Sequence, residues 1–327
     1  MKILIYISWP VKAWCIPDAH VARLREDFRD IEFIQPPSLD EAKKLMGDID
    51  VSFTAHLTKD MVAAAEKLRW VHSSAAAVEG LLPLHDLAAR NIPVTNSRGV
   101  QAIPIAEHVM GGLLVLARKY DRMLEAQRER RWIQNDLVED WPWLLHGKRM
   151  TVVGLGTIGL EVAKRAHAFG MNVTGVRRSR PEHRHPYVDQ MLTPDLLRKG
   201  LENCDVLVLS APGVSATQGM IGADQLAMLN RGAILVNVAR AQIVNDAAMR
   251  SALASGQLGG AVLDVFEREP LEPDSPLWSM PNVIVTPHSS GFRANHWDEV
   301  TALFAANLRH FLMGEPLRNV VDHAAGY

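Results

Sequence analysis

Arginine, glutamate and histidine stand just beyond three successive β-branched runs in the last third of the chain. AILVNVA runs into Arg240, AVLDVF passes through Asp264 to Glu267, Arg268 and Glu269, and VIVTP runs into His288. In open α/β sheets, ligands bind beyond the carboxyl ends of the strands, so three such groups can meet one small molecule. The chemistry they fit is hydride exchange at an oxygen-bearing carbon. That reaction needs a group that gives or takes a proton at the oxygen, a cation for a neighbouring carboxylate, and a partner that holds the imidazole. A glutamate beside an imidazole favours the protonated ring, which suits an acid that protonates a keto oxygen. Each residue alone is ordinary: the chain has 13 histidines, and a lone arginine after a strand is more often an ion-pair partner. The joint placement at three strand ends is the signal.

A second constellation lies upstream. GLGTIG, comprising Gly154, Leu155, Gly156, Thr157, Ile158 and Gly159, ends the run TVV and opens the segment LEVAKRAHAFG. In a dinucleotide-binding turn the first glycine makes the tight turn, the second lets the pyrophosphate approach the backbone, and the third lets helix and strand touch. The helix N-terminus adds free N–H groups and a favourable dipole. A bare GxGxxG is a weak signal, but this one sits between a strand and a helix with a second strand, NVTGV, at the right remove. The position after that second strand reads the adenosine ribose. An acid there would bind a 2′-hydroxyl and repel a 2′-phosphate, whereas this chain carries Arg177, Arg178 and Ser179. NADP(H) is therefore expected to be preferred, with NAD(H) as the second cofactor; a solvated basic turn is the alternative reading.

Elements that alternate between β-branched runs and amphipathic segments must position these groups. KILIYIS, IEFIQ, VSFTA, WVHSS and PVTNS form a first strand series, with helical stretches near 18–29, 39–47, 59–67 and 80–90. RMTVVGLG, NVTGVRR, DVLVLSA, AILVNVA, AVLDVF and VIVTPH form a second. A long helix from near Ile105 to Arg131 is predicted between them, and a last helix near 294–313 ends at Gly314, a fitting C-cap. This pattern predicts an α/β chain of two doubly wound parallel-sheet domains, a Rossmann domain and a flavodoxin-like substrate domain. The expected boundaries are 1–98 plus 290–327 for the substrate domain and 99–289 for the dinucleotide domain.

Composition narrows the class. A chain of 327 residues, 48% hydrophobic, can fill two cores. Its formal charge of -2 offers no basic field for nucleic acid or an anionic membrane. Cys15 and Cys204 make neither a disulfide framework nor a metal cluster, and read as reduced thiols of a cytoplasmic protein. MKILIYISWP suits a buried first strand better than a signal peptide, and no apolar run reaches bilayer length. His183 and His185, in the polar segment RSRPEHRHPYVDQ, have poor spacing for a metal and read as a solvated loop.

The stretches WVHSSAAAVEGL, NSRGVQAIPIAEHV, VVGLGTIG, ILVNVARAQIVN, GAVLDVFEREPL and PNVIVTPHSSG together resemble the D-isomer-specific 2-hydroxyacid dehydrogenase family, over nearly the whole chain. The glyoxylate/hydroxypyruvate reductases are the branch most alike. The resemblance implies reversible reduction of a 2-keto acid (glyoxylate, hydroxypyruvate or a larger one) to the D-2-hydroxy acid. It implies Arg240 on the substrate carboxylate and carbonyl, His288 as acid/base, and Glu269, the acid before Pro270, as its partner. It further implies Asp264 near the nicotinamide carboxamide, Ala211, Pro212, Ala239, Arg240 and His288 along the cofactor, and backbone N–H groups around Ala76 and Ala77 for the carboxylate. Departures are Ala77 and Ala241 where the family usually has glycine, and Glu79 where it usually has aspartate. None removes a chemical group.

Two rival functions exist on such a fold, a redox-inactive dinucleotide sensor or corepressor and a formate or phosphite dehydrogenase-like oxidant. The intact Arg240, Glu269 and His288 speak against the first, and the glutamate partner speaks against the second. For the substrate side chain, Trp9 and Trp14 after the first strand and His56 after the third are candidates, with ordinary loop packing an equal reading. The resemblance also implies a homodimer. The long helix and the loop WIQNDLVEDWPWLLHG, with Trp132, Trp141 and Trp143, would lie at its two-fold axis, and Trp141 would reach the partner's substrate site.

Overall fold

The computed structural model describes residues 1–178 and 185–323. The chain divides into two compact units, Met1–Val100 with Arg293–Tyr327, and Gln101–Phe292.

The first unit runs β1 (Lys2–Tyr6), α1 (Asp18–Asp27), β2 (Glu32–Ile34), α2 (Leu39–Leu45), β3 (Val51–Thr54), α3 (Lys59–Ala64), β4 (Trp70–Ser73), α4 (Leu84–Ala89) and β5 (Val94–Thr95). All its strands pair in parallel in the order β2-β1-β3-β4-β5. This is the flavodoxin-like order expected from the sequence. Alternate side chains fill the two faces, as the pleat requires. Ile3 and Ile5 join one core with Phe53 and Trp70, while Leu4 and Tyr6 join the other with Val71 and Val94. The C-terminal helix, which we label α12 (His296–Met313) because the second unit's elements precede it, closes the first of these faces. Its Phe304 stacks on Phe53 at 4.2 Å between ring centroids and on Trp70 at 5.5 Å. Gly314, in the left-handed conformation at φ 70°, ends this helix.

The second unit comprises α5 (Ala102–Ala117), α6 (Tyr120–Arg128), α7 (Gln134–Glu139), β6 (Arg149–Val153), α8 (Thr157–Ala168), β7 (Asn172–Val176), β8 (Gln190–Leu192), α9 (Leu197–Leu201), β9 (Val206–Leu209), α10 (Ala223–Ala227), β10 (Ala233–Asn237), α11 (Asp246–Ala254), β11 (Leu258–Leu263) and β12 (Val283–Val285). Among the described residues its strands form a parallel sheet of seven, in the order β12-β11-β10-β9-β6-β7-β8. β10 shows why: Ala233 and Leu235 point into one core, Ile234 and Val236 into the other, so a run apolar on both faces becomes a central strand. On the second face α5 lies close to β11, because Gly112 has no Cβ; one there would come within 2.7 Å of Val262 Cγ1.

Two expectations need correction. The single helix predicted from Ile105 to Arg131 is two helices, broken at Lys119, which takes φ 60°. The backbone turns there, and Lys119 Nζ meets Asp140 at 2.8 Å. A seventh strand, β8, was not expected. QML is too short to show periodicity and becomes a strand by pairing with Thr174, Gly175 and Val176 of β7. Among the described residues no helix is long and apolar enough to cross a membrane.

Candidate active site

Register builds the site edge in the second unit. Val176, Val153, Leu209, Asn237, Leu263 and Val285 form one row across six neighbouring strands. The residues that follow this row therefore leave the sheet from one carboxyl edge. They are Arg177, Gly154, Ala211 and Pro212, Ala239 and Arg240, Asp264, and His288. The order reverses at β6, flanked by β7 on one side and β9 on the other, which is where a crevice for a ligand opens.

Gly154 takes φ 98°, a conformation L side chains rarely adopt, and a Cβ on it would lie 2.3 Å from the Ala211 nitrogen. Its N–H and that of Leu155 donate to Val176 O at 2.9 and 3.2 Å, and Ser210 Oγ donates to Gly154 O at 2.8 Å. The turn is thus tied to both neighbouring strands. Gly156 is the N-cap of α8, and a Cβ there would meet nothing within 4 Å. A Cβ on Gly159 would lie 2.3 Å from Gly154 O, so this position lets α8 start against the turn. Leu155 is buried under Gly175 of β7. An open backbone ledge at the amino end of a 12-residue helix fits the pyrophosphate of a dinucleotide. Beyond β7, Arg177 N donates to Leu192 O at 3.1 Å, so β8 anchors the basic turn. Arg178 is exposed, while Ser179 and His183 lie outside the described residues.

Arg240 follows β10. Its Nη1 donates to Ala239 O at 2.7 Å, and Asn237 braces the turn by donating to Arg240 O and accepting from Ala239 N, both at 3.1 Å. A Cβ on Gly213 would lie 2.5 Å from Arg240 Cγ, so Gly213 leaves room for the arginine stem. Pro212 is held from behind, its carbonyl accepting from Thr217 Oγ1 at 2.7 Å.

His288 follows β12 at φ 52°, a left-handed conformation that costs a non-glycine residue about 1–2 kcal/mol and concentrates at functional sites. Asp264 holds it there. Only 1% exposed, this carboxylate accepts from Thr286 Oγ1 at 2.6 Å, Ser289 N at 2.9 Å and Ser290 N at 3.0 Å, gripping the loop on both sides of His288. Thr286 Oγ1 also lies 3.2 Å from His108 Nε2 of α5. His288 Nδ1 meets Glu269 Oε2 at 2.7 Å, and the other oxygen of Glu269 accepts from Phe266 N at 3.0 Å. With Nδ1 engaged by the carboxylate, Nε2 is the ring nitrogen that remains. The imidazole is about half exposed, at 53%.

Asn237, Gly213, Thr286 and His108 are supporting residues that sequence reasoning passed over. Only Asn237 left a trace, as a polar residue inside the apolar run AILVNVA. Glu267 and Arg268 fall outside the cluster; Arg268 pairs with Glu272 on an exposed turn.

In the first unit, Ala76 and Ala77 follow β4. Ser97 N donates to Ala75 O at 3.1 Å and Asn96 Nδ2 to Ala76 O at 2.7 Å, which shape this loop through its carbonyls. His56 follows β3, its carbonyl accepting from Thr54 Oγ1 at 2.7 Å. Trp141, in the second unit, is 70% exposed on the loop after α7.

Residues 110–290 match the model of the D-isomer specific 2-hydroxyacid dehydrogenase NAD binding domain. The chain is 30% identical over 92% of its length to a D-3-phosphoglycerate dehydrogenase of Methanocaldococcus jannaschii, and spans 57% of that longer relative. It is 31% identical to the glyoxylate reductase of Korarchaeum cryptofilum, covering 94% of this chain and 93% of the relative. A D-isomer specific 2-hydroxyacid dehydrogenase from Xanthobacter autotrophicus, solved with NADPH and MES, superposes with a TM-score of 0.83 at 28% identity, over 99% of each chain. On the matched domain and the likeness to the glyoxylate reductase, the chain belongs to the D-isomer specific 2-hydroxyacid dehydrogenase family.

Proposed function

We propose that this chain reduces a 2-keto acid to the D-2-hydroxy acid, reversibly and in the cytoplasm, with NADP(H) preferred over NAD(H). The observation that carries the proposal is the 2.7 Å pair of His288 Nδ1 and Glu269, on the same carboxyl edge as Arg240 and the GLGTIG turn. Gly154 to Gly159 would hold the pyrophosphate, with Ala211, Pro212 and Ala239 along the cofactor and Asp264 towards its carboxamide. When bound, the nicotinamide supplies or accepts the hydride.

The remaining work falls to side chains and backbone N–H groups of this chain. Arg240 binds the substrate carboxylate through its guanidinium, whose planar donors match two oxygens. N–H groups of Ala76 and Ala77 bind the same carboxylate; among the described residues neither donates a hydrogen bond within the protein. His288 Nε2 gives its proton to the keto oxygen in reduction and takes it back in oxidation. Glu269 fixes the ring's direction and compensates its positive charge while the proton is held.

Two finer readings go with this one. Arg177, with Arg178 and Ser179, binds the 2′-phosphate and supplies the preference for NADP(H); the absence of an acid at that turn supports it. The chain forms a homodimer through the α5–α7 region. Trp132 at 89% exposure and Trp141 at 70% are a large apolar area to leave in water, and Trp141 is the residue we assign to the partner's substrate site.

The test is His288→Ala. Loss of the acid/base should cut kcat by about 100- to 10,000-fold, with NADPH affinity retained in a fluorescence titration. A variant keeping more than about a tenth of wild-type turnover on its best keto acid would overturn the assignment.

A further inference from the structure

One face of α5 runs antiparallel along β11 and keeps step with it. Leu116 lies against Gly260, where a Cβ would come within 2.9 Å of Leu116 Cδ1, and Gly112 lies against Val262. Four helix residues advance about 6 Å and two strand residues about 6.6 Å. Each turn of α5 therefore meets the next side chain on that face of the strand. The turn after Gly112 brings His108 to the level of Asp264. There His108 Nε2 lies 3.2 Å from Thr286 Oγ1, which lies 2.6 Å from Asp264 Oδ1.

Proton count gives these bonds a direction. Asp264 accepts from Ser289 N on Oδ1 and from Ser290 N on Oδ2, so it serves as a carboxylate with no proton to give. The Thr286 hydroxyl has one hydrogen. Within its reach are Asp264 Oδ1 at 2.6 Å, His108 Nε2 at 3.2 Å and Leu263 O at 3.4 Å. The short contact with the buried charge takes that hydrogen. The contact with His108 is then a hydrogen bond only if Nε2 carries a proton and donates it. The bonds run from His108 through Thr286 to Asp264, and each polarises the next. They end on the N–H groups just beyond His288, which stands at φ 52°.

We infer that His108 is a positioning residue for the acid/base loop. Donating from Nε2 to Thr286, it fixes the threonine hydroxyl on Asp264, and so helps to hold His288 in its left-handed conformation. This inference rests on the reading of His288 as the acid/base of a 2-keto acid reductase. The rival is a half-buried ring on α5 that fills space beside Thr286 and donates nothing.

The experiment is a double-mutant cycle on kcat, with saturating NADPH and glyoxylate or hydroxypyruvate, whichever turns over faster. His108→Phe keeps a ring and removes the donor. It should lower kcat about two- to tenfold, the worth of one hydrogen bond, and leave KM within about twofold. His108→Gln, whose amide is again a donor, should recover most of the loss. In a Thr286→Val background His108→Phe should cost nothing further. An equal loss with and without the Thr286 hydroxyl, or no recovery by His108→Gln, would overturn the inference in favour of packing. A long-range proton–nitrogen NMR spectrum near neutral pH reads the same link without turnover. The His108 ring, identified by its loss in His108→Gln, should carry a proton on Nε2, and a proton on Nδ1 alone would overturn the inference. Absence of turnover on both keto acids with that Nε2 proton in place would count against the reductase reading, and the hydrogen-bond chain would stand.

Discussion

Replacing Gly156 by alanine separates what the phosphate-binding turn does for the fold from what it does for a ligand. A Cβ at this position meets nothing within 4 Å, and its φ of -90° is open to any L residue. The substitution should therefore stay within about 0.5 kcal/mol of wild type, or a Tm shift of about 1–2 °C for a unit of this size. The methyl would nevertheless stand on the ledge where the pyrophosphate approaches the backbone. Loss of one charge-assisted bond from a helix N–H is worth about 1.5–3 kcal/mol, so the Kd for NADPH should rise about ten- to a hundred-fold. Gly154→Ala is the contrast. There φ is 98° and the Cβ would fall 2.3 Å from the backbone nitrogen of Ala211. Left-handed strain costs about 1–2 kcal/mol and overpacking about 1–3 kcal/mol. Together they give about 2–5 kcal/mol, or a Tm lower by about 4–20 °C. Thermal unfolding and NADPH fluorescence titration on the two variants give both numbers. Wild-type NADPH affinity in Gly156→Ala would refute the placement of the pyrophosphate, whatever Gly154→Ala does.

Arg177→Asp should raise the KM for NADPH by about ten- to a hundred-fold and that for NADH little; a wild-type enzyme with the higher kcat/KM on NADH would reduce Arg177 and Arg178 to a surface turn. Light scattering at micromolar concentration should give a dimer mass for the wild type and a lower mass for a Trp132→Ala, Trp141→Ala double variant, and a monomeric wild type would end the proposal. His72 predicts acid sensitivity of the first unit. It is fully buried with Nδ1 2.7 Å from Thr95 Oγ1, and burial lowers its pKa from 6.5 to about 3. The unfolded chain takes up this proton as pH falls below 6.5 and the folded chain does not. Its stability contribution is therefore full above pH 6.5 and lost towards pH 3, at about 1.4 kcal/mol per pH unit. Urea unfolding at pH 7, 6 and 5 should show that slope in wild type and its loss in His72→Phe; equal slopes in the two would rule out the assignment.

The alternation of β-branched runs with amphipathic segments determined two parallel sheets, because inward-facing strands must be apolar on both sides and show it locally. The glycines of GLGTIG and the charged residues after AILVNVA, AVLDVF and VIVTP were legible for the same reason: each is a chemical type at a fixed offset from a strand. Tertiary structure decided the rest. Lys119 takes a positive φ that its residue type does not favour, and the helix breaks where the sequence pattern runs on. QML becomes β8 only because β7 offers it hydrogen bonds. Asp264 was legible as a polar residue at a strand end, but not that its oxygens grip Thr286, Ser289 and Ser290 around His288. Those bonds span more than twenty residues, and a local pattern carries no record of which donors a buried carboxylate will meet once separate strands lie side by side.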